Sequence, residues 1–316
     1  MVQAPVLSVV LHAQYAGKNF ERSLMSMLDQ TLPKKEYEVI VVDDASTDAT
    51  SRILESFKDD LIVLRMDKRY GDPKCLNIGA AHSKGHLMLF SGVDCVADRR
   101  LLENHLRRHS VSDPCAVTGH IGWLDVDEQN TFVKFLEQSS FMFNQGPDYI
   151  RDPDNVSYQY LYGANFSIQK QVFSSVGMFN ERLIPGWADI ELGYRVQSAG
   201  IRIIYEKDAV VCHASDLSLS EFSKRMINVG RTAHRLKMLS PCGFPFSDQE
   251  RDERSVLRLK LETEFCCSMA ILFQFGYGHY RFGILRRLLF EAYRRALGNS
   301  FQLGYTRQRV RTLTSA

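Results

Sequence analysis

Val39, Ile40, Val41 and Val42 form an apolar run of four β-branched residues without a polar break. Such a run suits a strand covered on both faces, as in a parallel sheet. It ends in two carboxylates, Asp43 and Asp44, and Ala45-Ser-Thr-Asp48 then supplies turn and cap chemistry ahead of a helical stretch over 49–57. Upstream, residues 6–11 make a second continuous apolar run, followed by a polar turn over 12–17. Phe20, Leu24, Met27 and Leu28 then recur at helical spacing within 19–30. Strand, helix and strand in this order predict a right-handed parallel crossover.

The pattern continues with a third strand over 61–64, a loop from 69 that closes on a short helix ending at 83, and a fourth strand over 86–90. That strand runs into Ser91-Gly-Val-Asp-Cys95, and a helix is predicted over 98–109. Beyond about residue 216 the character changes. An amphipathic helix is expected over 219–239, and two further helices over 253–273 and 280–297. The expected architecture is therefore a mostly parallel α/β sheet flanked by helices over 1–216, with a helical appendage over 217–316.

Composition narrows the function classes. The 316 residues are 45% hydrophobic and 24% charged with a net charge of +2, which fits a soluble globular protein and argues against a nucleic-acid binder. Seven cysteines without a Cys-x-x-Cys pair suit reduced thiols in the cytoplasm. No basic segment followed by a long apolar stretch opens the chain, so no secretory leader is expected. The longest apolar-rich run, 265–275, is too short to span a bilayer. Carboxylates at the carboxyl end of a parallel strand lie where open α/β sheets bind ligands, which singles out Asp43 and Asp44.

Several segments in series carry a resemblance. They are Asp43-Asp-Ala-Ser-Thr-Asp48 after the second strand, Asn77-Ile-Gly79 before the fourth, the acid Asp94 after it, Tyr162-Gly-Ala-Asn165, Val176-Gly-Met-Phe-Asn180, Trp187-Ala-Asp-Ile-Glu191 and Ala209-Val-Val-Cys-His213. Over about residues 6–215 the chain resembles the inverting family-2 glycosyltransferases of the GT-A fold. The resemblance implies transfer of a sugar from a nucleoside-diphosphate donor, UDP-linked by expectation, to an acceptor hydroxyl. It implies a divalent metal, Mn²⁺ or Mg²⁺, on the leaving diphosphate.

Residue by residue, the resemblance gives Asp44 a contact to the base and leaves Asp43 to share that site or cap the turn. His12 and Tyr15 fall in the nucleotide-facing turn, and Lys74 and Asn77 in the loop that meets the nucleotide. Gly92, Val93 and Asp94 stand where the family has its Asp-x-Asp, so the first acid is missing and the last is kept. Asp94 is then the metal ligand with His213, and Gly92 and Val93 face the donor. Asn165 lines the donor-sugar pocket, and Trp187 sets an aromatic ring beside it or joins the core. Asp189 matches the general base, with Ala188 replacing the family's preceding Glu. Glu191 is left to hold the acceptor, the base or Arg195.

The last helices carry Arg281, Arg286, Arg287, Arg294 and Arg295 close to Ile284, Leu285, Leu288 and Leu289. This pattern fits a solvated face, an oligomer contact or peripheral attachment to the inner face of an anionic membrane. The expected partners are a nucleotide-sugar and a glycan, lipid-linked or small-molecule acceptor, without nucleic acid. The rival reading is a nucleotide-sugar-binding pseudo-transferase, which the changes at Gly92 and Ala188 would suit.

Overall fold

The computed structural model describes residues 4–314 apart from 16, 18, 110–112, 125–129, 140–141, 144–149, 215–216, 240–253 and 278–282; side chains at 273–277, 283–285 and 313–314 are also outside the description. Cys242 and Arg281 therefore lie outside the described residues. The chain divides into two compact units. The first comprises Met1–Asp125, Phe143–Arg182 and Ala188–Ser215, and the second Val126–Met142, Leu183–Trp187 and Asp216–Ala316.

The first unit is built on one sheet of eight strands: β1 (Leu7–Ala13), β2 (Tyr37–Asp43), β3 (Ile62–Arg65), β4 (Leu87–Ser91), β5 (Cys95–Ala97), β6 (Cys115–Trp123), β7 (Asn165–Gln169) and β8 (Arg202–His213). Their order is β3-β2-β1-β4-β7-β6-β8-β5. The first four run parallel, β7 is antiparallel to β4 and β6, β6 and β8 are parallel, and β5 is antiparallel to β8. The chain moves outward from β1 to β3 and then returns to place β4 on the other side of β1. The carboxyl ends of β1 and β4 thus flank a topological switch point, the place where such sheets open a ligand crevice.

Around the sheet lie α1 (Phe20–Leu28), α2 (Thr50–Ser56), α3 (Asp72–His82), α4 (Leu101–Arg108), α6 (Lys170–Ser175) and α7 (Ala188–Ser198); α5 (Thr131–Gln138) belongs to the second unit. Alternation along the strands separates two cores. Leu7, Val9 and Leu11 pack with Phe20, Leu24 and Leu101, whereas Val10 packs with Phe90, Phe166 and Leu192. Phe90 stacks on Phe166 with ring centroids 5.0 Å apart, and Phe173 and Phe179 close the cluster at 5.2 and 5.1 Å from Phe90. Burial of such rings supplies much of the stabilisation, roughly 2–3 kcal/mol for each large side chain.

Helix α3 begins at Asp72, earlier than the sequence pattern suggests, because Pro73 occupies its first turn, where a missing N–H costs nothing. The second unit consists of α5, α8 (Leu219–Leu239), α9 (Val256–Tyr277) and α10 (Gly283–Thr314). The sequence pattern ends the last helix at 297, yet α10 runs on through Gly298 and Asn299. The reason is packing: Gly304 and Gly230 bring the backbones of α10 and α8 together, and that contact holds the extra turns. Among the described residues, no helix is long and apolar enough to cross a membrane.

Candidate functional site

At the end of β2, Asp43 turns back on its own segment. Its carboxylate accepts from Ser46 N at 3.0 Å and Ser51 Oγ at 2.9 Å, so it caps the entry to α2. Asp44 is fully buried and points the other way. It accepts the backbone N–H of Tyr70 at 2.7 Å and of Gly71 at 2.9 Å, with His12 Nε2 and Gln14 Nε2 each at 3.4 Å. Burial alone would raise the pKa of Asp44; the two amides, with the Cys75 thiol and His12, outweigh it and hold the carboxyl below its usual value. Asp44 thus pins the loop before α3 onto the end of the sheet. His12 also presents Nδ1 to Asp72 at 3.4 Å, so its ring bridges two acids.

Above these acids stands an exposed lip. Tyr15, at a left-handed φ of 48°, lies under the Arg69 guanidinium at 4.4 Å and meets Thr47 Oγ1 through its hydroxyl at 3.3 Å. Lys74 lies 4.4 Å from the Tyr70 ring centroid. Aromatic faces and two cations at a switch point suit a planar base carrying phosphates.

The second cluster forms at the ends of β4 and β8. Cys95 pairs in register with His213, and Ala214 N donates to Asp94 O at 2.7 Å, which brings the two side chains together. His213 Nε2 stands 3.2 Å from Asp94 Oδ2, and the Trp123 ring packs on the imidazole at 5.2 Å. Two donors held in adjacent positions by one octahedral cation at about 2.1 Å lie roughly 3 Å apart, so this pair fits a divalent metal. Val93 packs against the first core. At Gly92 an added Cβ would come within 2.9 Å of Asp94 Oδ1 and 3.0 Å of Cys95 Sγ. The glycine therefore gives the Asp94 carboxylate its room.

A further triad of His12, Asp44 and Cys75 has ligand atoms within 4.8 Å of one another. It fits a metal poorly. Burial, and then the neighbouring Asp44 charge, push the Cys75 thiol well up, and both Asp44 oxygens already accept amides.

Asp189 opens α7, with Gly163 N donating to Oδ2 and Ile190 N to Oδ1, both at 2.8 Å. Glu191, by contrast, is closed into a bidentate pair with Arg195 at 2.9 and 2.7 Å. Arg195 also donates to Val176 O and, at 2.6 Å, to Met178 O, so Glu191 holds the 176–178 turn through it. Asn77 pairs both ways with the Phe179 backbone at 3.0 Å. Asn165 is fully buried, donating to His120 O and Ala209 O and lying 2.8 Å from His105 Nε2. These two amides are internal fasteners. Trp187 belongs to the second unit, where its indole N–H donates to Val229 O at 3.1 Å and its ring faces Phe301.

The structure thus gathers His12, Tyr15, Asp44 and Lys74 in one cluster and Asp94 with His213 in another, and it turns Asp43, Asn77, Asn165 and Glu191 inward. Sequence reasoning missed Gln14, Asp72, Cys75 and Trp123. Gln14 lies within the polar turn over 12–17, and Asp72 before Pro73 is a helix-start signal; Cys75 and Trp123 carried no signal.

The chain is 27% identical over 238 residues to glycosyltransferase AglE of Haloferax volcanii, a match covering 74% of this chain and 75% of that one. Two further curated relatives are matched over 64% and 62% of their own length, so the chain spans less than two thirds of each. Among solved structures, the Pyrobaculum calidifontis mannosyltransferase PcManGT, described in complex with GDP-Man and Mn²⁺, superposes with a TM-score of 0.60 at 16% identity, covering 97% of this chain and 88% of that one. Staphylococcus aureus TarS 1-349, described in complex with UDP-GlcNAc, superposes with a TM-score of 0.53 at 16% identity, covering 96% and 91%. With the mixed sheet above, these neighbours give the fold as GT-A. The family model described as glycosyl transferase family 2 matches residues 8–177, and the chain belongs to that family.

Proposed function

We propose that the chain transfers a glycosyl group from a nucleoside-diphosphate sugar, with UDP as the expected nucleotide, to an acceptor hydroxyl with inversion. The observation that carries this reading is the Asp94–His213 pair at 3.2 Å, at the ends of β4 and β8. Those two residues would hold Mn²⁺ or Mg²⁺, which as a Lewis acid supplies charge neutralisation for the departing diphosphate. The fold neighbours described with GDP-Man and with UDP-GlcNAc support a nucleotide-sugar donor without deciding the base.

In this reading Tyr15, Arg69 and Lys74 receive the nucleotide, and Asp44 acts by fixing the loop that carries the two cations. The acceptor oxygen attacks the anomeric carbon as the bond from that carbon to the phosphate oxygen breaks. The electron pair leaves with the nucleoside diphosphate, and the hydroxyl proton passes to the Asp189 carboxylate, whose Oδ2 the Gly163 amide orients. We assign this chemistry to the first unit; the acceptor is a glycan, a lipid-linked sugar or a small molecule. Gly92, where the family's first motif acid is absent, favours as second reading a nucleotide-sugar-binding protein that does not turn over.

The deciding experiment offers UDP-, GDP- and dTDP-sugars with Mn²⁺ or with chelator and follows nucleotide release. Metal-dependent release from one donor, abolished in Asp189→Asn, is the expected result. Tight binding of a donor with no release in the presence of any acceptor tried would favour the second reading.

A further inference from the structure

The helical unit carries a feature that the transfer step does not use. An open groove of about 780 Å³ lies along the first turns of α10 and the end of α5. Its lining includes Gln138, Arg286, Arg287, Leu288, Phe290 and Arg294. Arg286 is held in place: it donates to Gln138 Oε1, and its guanidinium lies 5.3 Å from the Phe290 ring centroid. Arg287 and Arg294 are seven residues apart, so they share one face of the helix. Neither enters an ion pair among the described residues. The one acid in the lining, Glu291, is already engaged by Arg295 Nε at 2.7 Å.

Three arginines therefore line a concave surface whose only carboxylate is answered from outside it. Like charges gathered without counter-charge repel one another, and an anion relieves that repulsion. Every cation in the lining is arginine, whose planar fork matches phosphoryl oxygens better than an ammonium does. Leu288 and Phe290 add apolar wall beside the charges.

We propose that this groove binds a phosphoryl anion, as a diphosphate or phosphodiester group. The proposal does not rest on the transferase reading. Two sources could present that chemistry: a soluble phosphate compound or the headgroup of an anionic lipid. The test uses the full chain in chelator, titrated calorimetrically with inorganic pyrophosphate and co-sedimented with vesicles of phosphatidylcholine alone or mixed with phosphatidylglycerol. The double variant Arg287→Gln/Arg294→Gln should lose about tenfold or more in affinity for whichever probe binds, the worth of one charge-assisted contact or more. Loss in the pyrophosphate arm assigns a soluble phosphate, and loss confined to the phosphatidylglycerol arm assigns a lipid headgroup. Arg307→Gln/Arg309→Gln, which removes the same charge elsewhere on α10, should leave both within about twofold. Equal weakening by the two double variants would reduce the effect to bulk charge and overturn the proposal, as would unchanged binding in the first variant or no binding by the native chain. Neither probe carries a sugar, so these outcomes are separable from the donor assay.

Discussion

The backbone N–H of Gly163 donates to Oδ2 of Asp189 across 2.8 Å, which fixes the carboxylate at the first turn of α7. Asp189→Asn keeps an oxygen that can accept this amide while removing the group that takes a proton. Donor affinity should therefore stay within about twofold, and turnover should fall at least about a hundredfold, the usual worth of a general base. Equilibrium nucleotide-sugar binding and single-turnover transfer together check this, and near-normal turnover would remove Asp189 from the role.

The Asp94–His213 pair carries a separate expectation. His213→Ala should weaken Mn²⁺-dependent UDP binding by about tenfold or more while leaving any metal-independent binding in place. The measurement is UDP affinity titrated against Mn²⁺. Gly92→Asp restores the acid that the family motif has at this position, yet it should weaken the metal response further. Its Cβ would meet Asp94 Oδ1 at 2.9 Å and push the retained ligand away. A stronger Mn²⁺ response in Gly92→Asp would mean that the segment can shift to accommodate both acids.

The strands β1, β2 and β4 were legible because each is a continuous apolar run, and such runs have few places to go except the centre of a parallel sheet. The three-residue β5 was not, since its pairing with β8 is decided by the ends of other strands. The same limit governs the site. Asp44 and Asp94 could be located from the strands they follow, and the geometry then told them apart from Asp43. Glu191, Asn77 and Asn165 look in sequence like ligand-facing residues. Glu191 closes on Arg195 one helical turn on, the alternative that its spacing already offered, whereas Asn77 and Asn165 find the Phe179 backbone and His105, which are brought near by turns that no local pattern encodes.

Asn165 also ends a buried chain whose proton order the structure dictates. Its Nδ2 donates to His120 O and Ala209 O, so its Oδ1 accepts from His105 Nε2. His105 Nδ1 then accepts from Ser167 Oγ, Ser167 Oγ from His109 Nε2, and His109 Nδ1 from the Cys115 thiol. Burial lowers the pKa of His105 to about 4; burial, with His105 and His86 nearby, lowers that of His109 to about 3. Both folded values lie below the unfolded value near 6.5, so the unfolded chain binds more protons. The stability due to the two neutral rings is fully present above about pH 6.5 and is lost as pH falls toward 4 and 3. Between pH 6 and 4, His109→Gln should flatten the slope of unfolding free energy against pH by about 1.4 kcal/mol per unit, one proton's share. Urea unfolding across that range measures it, and an unchanged slope would mean that the histidines do not titrate on unfolding.

Glycines on two helices of the second unit give a prediction whose sign depends on space alone. A Cβ at Gly304 of α10 would lie 1.8 Å from Ile227 O on α8, and one at Gly230 of α8 would lie 2.0 Å from Phe301 O on α10. Both obstacles are backbone, which cannot turn aside as a side chain can. At Gly298, on the exposed side of the same α10, nothing lies within 4 Å. Helix propensity favours alanine over glycine at all three positions by about 0.5–1 kcal/mol. At Gly298 that preference stands unopposed, and Gly298→Ala should stabilise the protein by about that amount. At Gly304 separating the helices costs more than the preference returns, and Gly304→Ala should destabilise by about 1–3 kcal/mol net. Thermal unfolding of the two variants beside the native chain should move in opposite directions. Stabilisation by both would show that α8 and α10 can separate without cost, and the close crossing would then not be what extends α10 past Gly298.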